Sequence, residues 1–202
     1  MKRQQDVRIR LARLEDAPAI AAVHVRAWQT AYRGIVPDSY LDTMDLAARV
    51  ERWQERLAHP AESEFTFVAE LTGNTKETPG AIIGFSSGGP ERHGIAGYDG
   101  ELYAIYLLPE HRGKGIGRRL VAAAAKWLSE RGTQSLVIWV LKDNVKGRAF
   151  YEALGGQLVS EQTITIGSSS LLDVAYGWPD LRMIFRAPRD AGGDPHEAAA
   201  VR

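Results

Sequence analysis

The pattern of apolar and polar positions divides the chain into strand-like and helix-like segments. Residues 102–108 form an apolar run with aromatic and β-branched members that stops at Pro109, which is typical of a strand. From Ile116 onward, apolar residues recur every three or four positions, and this spacing predicts a helix that Gly132 ends. A basic, glycine-rich turn, 112–117, joins the two segments. The centre of the chain therefore predicts a strand, a glycine loop and a helix.

The other segments predict two helices and three strands before this centre, and three strands and a helix after it. The predicted strands are 7–11, 65–71, 81–86, 102–108, 136–141, 157–166 and 175–186, and the predicted helices begin near residues 15, 46, 116 and 144. Residues 87–100 are glycine-rich, and we expect them to be irregular. The continuous apolar run 136–141 is typical of a buried parallel strand. Together these segments predict a mixed α/β fold.

Composition narrows the classes of protein that this sequence fits. The chain has 202 residues, 45% of them hydrophobic, and equal numbers of basic and acidic residues give zero net charge. We expect one domain over residues 1–186 and a disordered tail over 187–202, where Pro, Gly, Asp and Ala dominate. Zero net charge disfavours binding to nucleic acid or to a membrane surface. The lack of a signal-peptide core and of a membrane-spanning run favours a cytoplasmic location.

The absence of cysteine limits the chemistry further. Without cysteine there are no disulfides, no cysteine-ligated metals and no cysteine nucleophile to carry an acyl group. The five histidines are scattered without the spacing of metal ligands, so we expect no metal.

The glycine loop suits anion binding. Its glycines let backbone N–H groups converge, and the start of the following helix presents unpaired donors. A Walker loop would need Ser or Thr after Lys114, where Gly115 stands. A Rossmann fingerprint is also excluded, because Gly113, Gly115 and Gly117 are too closely spaced. The loop therefore predicts a different phosphate ligand, and a plain structural turn is the alternative.

Two motifs resemble the GNAT N-acetyltransferase superfamily. The pattern Arg112-x-x-Gly115-x-Gly117 is similar to that family's acyl-CoA pyrophosphate loop, and Asn144 followed by residues 150–155 (FYEALG) matches a second motif. Gly156 stands where members often have phenylalanine. The resemblance covers residues 7–186. It implies a central, mixed but mostly antiparallel, twisted sheet of about seven strands, flanked by about four helices and splayed between the fourth and fifth strands.

The resemblance also implies acetyl-CoA as the acyl donor. In this family the pantetheine arm pairs with strand backbone at the splay, an asparagine contacts it, and the glycine loop holds the pyrophosphate. The positions implied for binding acetyl-CoA are Ile105, Tyr106, Leu107, Arg112, Gly113, Lys114, Gly115, Ile116, Gly117, Arg118, Asn144 and Tyr151.

Catalytic roles follow from the same resemblance and from the chemistry of amide formation. Tyr151 is the candidate acid, because a phenol with a pKa of about 10 can protonate a thiolate whose parent pKa is about 8.5. Glu101 is the candidate general base for the attacking amine, and an ordinary strand-end carboxylate is the equal alternative. An N–H near Leu107 would stabilise the tetrahedral oxyanion. Direct attack without an acyl-enzyme agrees with the missing cysteine.

The acceptor is left open by the sequence. An amine-bearing small molecule and a peptide or protein N-terminus both fit, and family members often build the acceptor pocket near Trp28 and Tyr32. Core packing is the favoured role for Trp28, and the role of Tyr32 is open. A non-catalytic acyl-CoA-binding module on the same fold is the alternative function. Homodimers are common in the family, and the oligomeric state of this chain is open.

Overall fold

A computed structural model of the protein describes residues 6–72 and 80–186, which form one seven-stranded sheet with helices on both faces. The strands are β1 (Val7–Leu11), β2 (Phe65–Leu71), β3 (Ile82–Pro90), β4 (Gly100–Leu107), β5 (Leu136–Leu141), β6 (Gln157–Ile166) and β7 (Ser169–Trp178). The helices are α1 (Ala17–Ala31), α2 (Asp38–Asp42), α3 (Leu46–Ala58), α4 (Ile116–Ser129), α5 (Val145–Ala153) and α6 (Arg182–Arg186). The predicted tail, 187–202, lies outside the described residues, as do residues 73–79 between β2 and β3.

The sheet has the order β1-β2-β3-β4-β5-β7-β6, and it is antiparallel except between β4 and β5. Those two parallel strands are both fully described, and they share a single residue pair, Glu101 with Val137. Beyond this pair the strands diverge toward their C-terminal ends. The predicted mixed sheet of seven strands, splayed between the fourth and fifth, is therefore confirmed.

Two helical layers cover the sheet. The α4 face is covered by α4 and α5, whose Leu120, Ala124 and Phe150 join one buried cluster with the strands. The α1 face is covered by α1, α2 and α3, and Ile20 and Trp53 belong to its separate cluster. The side of each helix that packs on the sheet is apolar, because the apolar residues of the helix recur at helical spacing.

Local sequence explains where two of these helices start. Asp45 accepts hydrogen bonds from the backbone N–H groups of Ala47 and Ala48 and so caps α3. Asn144 accepts from the N–H of Gly147, at 3.0 Å, and caps α5. Among the described residues no helix is long and apolar enough to cross a bilayer.

Some predicted boundaries are wrong, whereas the predicted number of about four helices holds for the longer ones. The described residues contain six α-helices, of which α2 and α6 have only five residues each. The end of the last predicted strand is the helix α6, because Leu181 and Ile184, three residues apart, are both buried against the core. β7 itself begins at Ser169, directly after a tight turn at Gly167.

The glycine-rich segment after residue 86 is also more regular than predicted. β3 continues to Pro90, and only residues 91–99 form a loop. The glycines here allow two strands to approach closely: a Cβ on Gly88 would lie 2.4 Å from the carbonyl oxygen of Glu101. Glycine therefore serves close strand packing at this position and not a turn.

Candidate active site

The glycine loop reaches the start of α4 through two residues with left-handed backbone. Gly113 has φ +77° and Gly115 has φ +73°, and Gly115 is the N-cap residue of α4. The first N–H groups of α4 have no partner within the helix, so this loop presents backbone donors and a partial positive charge. Ile116 is buried and anchors the helix start to the core. This arrangement suits an anionic group of a ligand.

The basic side chains of the loop differ in what they contact. Arg112 is 9% exposed, and its Nε donates to the carbonyl oxygen of Leu107 at 3.2 Å, which ties the loop to the end of β4. Lys114 is exposed and its Nζ donates to the carbonyl oxygen of Glu110 at 2.8 Å. Arg118 is partly buried on the first turn of α4.

Backbone groups of β4 point into the splay. The N–H of Leu108 donates to the carbonyl oxygen of Ile83, so residues 106 and 108 face β3 in the antiparallel ladder. The alternate residues Ile105 and Leu107 therefore turn their N–H and C=O groups toward β5, which does not pair with them in the described structure. These groups face the space between the two strands, where the C=O of Leu107 already accepts from Arg112.

Tyr151 lies on the α4 face, next to the splay. It is fully buried on α5, and the ring of Tyr176 lies 6.0 Å away. It is also within electrostatic reach of Tyr32, which belongs to α1 and the opposite face of the sheet. Because the sheet is continuous elsewhere, the opening between β4 and β5 is what brings the two tyrosines near each other.

A buried hydrogen-bonded chain lines the α1 face of the splay. The indole Nε1 of Trp28 donates to the hydroxyl of Tyr106 at 2.8 Å, and Tyr106 and Tyr32 share a further side-chain hydrogen bond. Burial raises the pKa of Tyr32 well above its usual value, and Tyr106 adds to that rise. Trp28 is buried, as its predicted packing role requires, and it also fixes the orientation of Tyr106.

Glu101 is a buried carboxylate in an ion pair. It is 2% exposed at the narrow end of the splay, where Arg92 Nη2 lies 2.6 Å from its Oε1 and Arg92 Nε lies 3.1 Å from its Oε2. The Arg92 guanidinium stacks on the ring of Tyr103 at 3.6 Å. The loop 91–99 is thereby fixed over this carboxylate.

Sequence reasoning missed one acidic residue near the site. Asp173 is buried on β7, opposite Leu141 of β5, and its charge contributes to the raised pKa of Tyr32. A lone acid within the apolar run of β7 could have indicated it. The structure thus brings together Tyr32, Tyr106, Tyr151 and Asp173 at the wide end of the splay, whereas Glu101 lies at the narrow end.

Comparison with known proteins identifies the family to which this site belongs. A sequence model of the acetyltransferase (GNAT) family matches residues 24–156, which is more than half of the chain. The chain belongs to the GNAT family. It is similar to the uncharacterized N-acetyltransferase YuaI of Bacillus subtilis, with 39% identity over 87% of this chain and 94% of the relative. It is also similar to the probable N-acetyltransferase Rv2775 of Mycobacterium tuberculosis, with 30% identity over 73% and 78%.

Solved structures of GNAT proteins share the fold. The PaiA N-acetyltransferase of Thermoplasma acidophilum, in complex with coenzyme A, has a TM-score of 0.63 at 23% identity, covering 83% of this chain and 98% of that one. YncA of Salmonella typhimurium, a putative acetyltransferase solved with acetyl-CoA, has a TM-score of 0.62 at 22% identity, covering 87% and 94%. The predicted family and the acyltransferase class are therefore confirmed, and the chain is an acetyltransferase.

Proposed function

We propose that this GNAT protein transfers an acetyl group from acetyl-CoA to a primary amine by direct attack within a ternary complex. The observation that carries the proposal is the opening between β4 and β5, because β4 leads into the glycine loop and β5 leads into α5, which carries Tyr151. Relatives named as N-acetyltransferases and neighbours solved with coenzyme A or acetyl-CoA support the same donor.

The residues at the splay fit an acyl-CoA. Backbone donors at Gly113, Gly115 and Ile116 would hold the pyrophosphate, because a helix start with left-handed glycines attracts phosphate. The outward N–H and C=O groups of Ile105 would pair with the amide groups of the pantetheine arm, which leaves the N–H of Leu107 for the thioester carbonyl. Asn144, buried at the start of α5, and the basic residues of the loop complete the proposed binding set.

The first prediction concerns this loop. Gly115→Glu should weaken acetyl-CoA binding by at least about 100-fold, because a side chain strains a backbone at φ +73° and adds negative charge where phosphate would bind. Calorimetric titration with acetyl-CoA measures the effect. Gly132→Glu is the control, since Gly132 has φ +88° and follows the other end of α4. Equal affinity in both variants would contradict the assignment of the loop.

The catalytic proposal assigns a proton or a hydrogen bond to each chain residue involved. Bound acetyl-CoA supplies an activated thioester. The N–H of Leu107 donates to the oxygen of the attacked carbonyl, where negative charge develops. The hydroxyl of Tyr151 gives its proton to the departing sulfur. The acceptor amine attacks the carbonyl carbon directly, and the C–N bond forms as the C–S bond breaks.

Glu101 is the proposed general base on the α1 face. Its two oxygens accept hydrogen bonds from Arg92, yet a carboxylate offers about four lone-pair positions, so acceptor capacity is left for a water molecule. Because Glu101 lies four positions before Ile105 on β4, we assign it proton removal through water rather than direct contact with the amine.

Replacing this carboxylate tests its role. Glu101→Gln keeps the size and an oxygen acceptor for Arg92 but cannot take up the proton, so kcat/KM should fall and its acidic limb should disappear from the pH–rate profile. Glu91→Gln, in the same loop region but exposed to more solvent, is the control and should keep the limb. If Glu101→Gln kept the acidic limb, another residue would be the general base, and Asp173 would be the next carboxylate to replace.

Release of free thiol from acetyl-CoA tests the function as a whole. A panel of polyamines, amino acids, aminoglycosides and short peptides should contain acceptors that accelerate thiol release far above the rate without amine. Tight acetyl-CoA binding with no acceleration across the panel would favour the non-catalytic acyl-CoA-binding module.

A further inference from the structure

Arg49 is a partly buried cation on the α1 face. It lies one helical turn before Trp53 on α3, so both side chains leave the helix on the same side. Trp53 is buried, and its ring lies 6.3 Å from that of His24. Arg49 therefore reaches over the same side of the sheet, where it interacts electrostatically with Tyr40 and Tyr106.

No carboxylate of the described residues balances the charge of Arg49. Within residues 6–72 and 80–186 its side chain forms no ion pair and no hydrogen bond, and it is acted on electrostatically by Arg52, Tyr40 and Tyr106. Burial, and then the like charge of Arg52, lower the pKa of Arg49. The surroundings of Arg49 thus contain hydroxyl groups and a second cation but no acid.

Two other partly buried arginines of this protein have carboxylate partners. Arg10 lies 2.6 Å from Asp16, and Arg56 lies 2.8 Å from Glu64. Withdrawing a guanidinium from water without a counterion costs stability. Because no described carboxylate pairs with Arg49, we expect a ligand to supply the opposite charge.

We propose that Arg49 binds a carboxylate of the acceptor, so that the acceptors are small amines that also carry a carboxylate. This assignment rests on the proposed function. Tyr106 connects the two ends of such a molecule, because its backbone belongs to β4 at the splay and its phenol interacts with Arg49. The amine would lie at the splay and the carboxylate beneath α3.

The coenzyme is not the source of this anion. Its phosphates belong, in the proposed complex, to the glycine loop that starts α4, on the opposite face of the sheet. Arg49 belongs instead to the layer formed by α1, α2 and α3. Tyr40 of α2 also touches the β6–β7 turn, since a Cβ on Gly167 would lie 3.3 Å from the Tyr40 ring. Because Arg49 interacts electrostatically with Tyr40, it lies near α2 and that turn.

A carboxylate suits this position better than a phosphate. One guanidinium matches the single charge and the two oxygens of a carboxylate in a bidentate pair. Arg52, three residues along α3, is exposed and does not join Arg49 in a shared buried site. Of the two charges of a phosphate group, Arg49 would balance one at this partly buried position, and the other would depend on the exposed Arg52.

The test compares matched acids and amides. Thiol release is assayed for wild type, Arg49→Gln, Arg49→Lys and Arg52→Gln. Each protein is tested with three pairs of substrates: glycine and glycinamide, leucine and leucinamide, and 4-aminobutyrate and its amide. In wild type the acid of the preferred pair should exceed its amide at least tenfold in kcat/KM. Arg49→Gln should raise KM for the acid by about 10- to 100-fold and change the amide less than about threefold.

Two of the variants separate recognition from stability. Arg52→Gln removes the same charge from an exposed position of the same helix and should change neither substrate by more than about twofold. Arg49→Lys keeps the charge without the bidentate geometry and should restore part of the acid preference. The melting temperature of Arg49→Gln should equal or exceed that of wild type, because the variant removes an unbalanced, partly buried charge.

Binding without turnover keeps this test independent of the catalytic proposal. Each acid is titrated calorimetrically into the CoA-saturated protein, and binding that Arg49→Gln loses but Arg52→Gln keeps supports the assignment even if no amine is acetylated. Failure of every amine to release thiol would overturn only the catalytic proposal. The carboxylate assignment is overturned if wild type has equal kcat/KM for acids and amides, or if Arg49→Gln lowers kcat/KM equally for both. It is also overturned if no acid binds, or if the protein prefers O-phosphoethanolamine to β-alanine.

Discussion

Tyr151→Phe should lower kcat by roughly 100-fold or more while leaving the affinity for acetyl-CoA within about threefold of wild type. The ring of Tyr151 is fully buried among Phe150, Tyr176 and Trp178, and phenylalanine preserves that packing. What the variant loses is a proton donor for the departing sulfur. Steady-state thiol release gives kcat, and calorimetric titration gives the affinity.

Tyr176→Phe is the matched control. The Tyr176 hydroxyl donates to Glu152 and accepts from Arg148 at 3.1 Å, so its loss should lower stability and leave kcat within about threefold. An unchanged kcat in Tyr151→Phe would remove Tyr151 from the acid role. A large loss in Tyr32→Phe instead would transfer that role to Tyr32, which lies on the other side of the splay.

The glycine loop and its helix were predictable because their determinants are local. The apolar spacing after Ile116, the closely spaced glycines and the cap at Asn144 all act within a few residues. The left-handed φ angles of Gly113 and Gly115 agree with that interpretation. The start of α4 and the start of α5 follow from sequence for the same reason.

The splay could be inferred only through the family resemblance. β4 and β5 are both apolar runs, and apolar runs predict burial without telling whether neighbouring strands remain paired. Their divergence depends on which strands the chain makes adjacent. The approach of Tyr32 to Tyr151 depends on that divergence, because they belong to helices on opposite faces of the sheet.

The sequence also could not predict which charged side chains pair with each other. Glu101 was a candidate base from its position on β4, but its pairing with Arg92 depends on how the loop 91–99 folds back. Arg49, by contrast, has no acidic partner among the described residues, and the sequence could not predict this either. Both facts belong to the tertiary structure, and no spacing rule encodes either of them.

Acid should destabilise this protein through His24. The imidazole is buried, its two nitrogens have no hydrogen-bond partner within the described part of the chain, and the ring of Tyr106 stacks on it at 5.0 Å. Burial, with a smaller contribution from Arg49, lowers its pKa from 6.5 to about 3. The folded protein thus keeps His24 neutral at pH values where the unfolded chain binds a proton.

The sign of the effect follows from proton binding. Above pH 6.5 both states are neutral and no stability is lost, and between pH 6.5 and about 3 the unfolded state gains a proton that the folded state excludes. Roughly 2–3 kcal/mol of the free energy of unfolding should be lost between pH 7 and pH 4.5 through this residue. Urea unfolding at the two pH values measures the loss.

His24→Leu should remove that part of the pH dependence. Leucine is close to imidazole in size, suits the aromatic surroundings and cannot be protonated, so the drop between the two pH values should shrink by about the same 2–3 kcal/mol. Packing differences affect both pH values equally and cancel in the comparison. His59→Leu is the control, because His59 is exposed after α3 and should leave the wild-type drop in place. If His24→Leu retained the full drop, the acid sensitivity would have to come from other groups, such as the carboxylate of Asp16. Burial acts to raise the pKa of Asp16, but the hydrogen bonds from Arg10 and from the N–H of Arg13 outweigh it and lower that pKa.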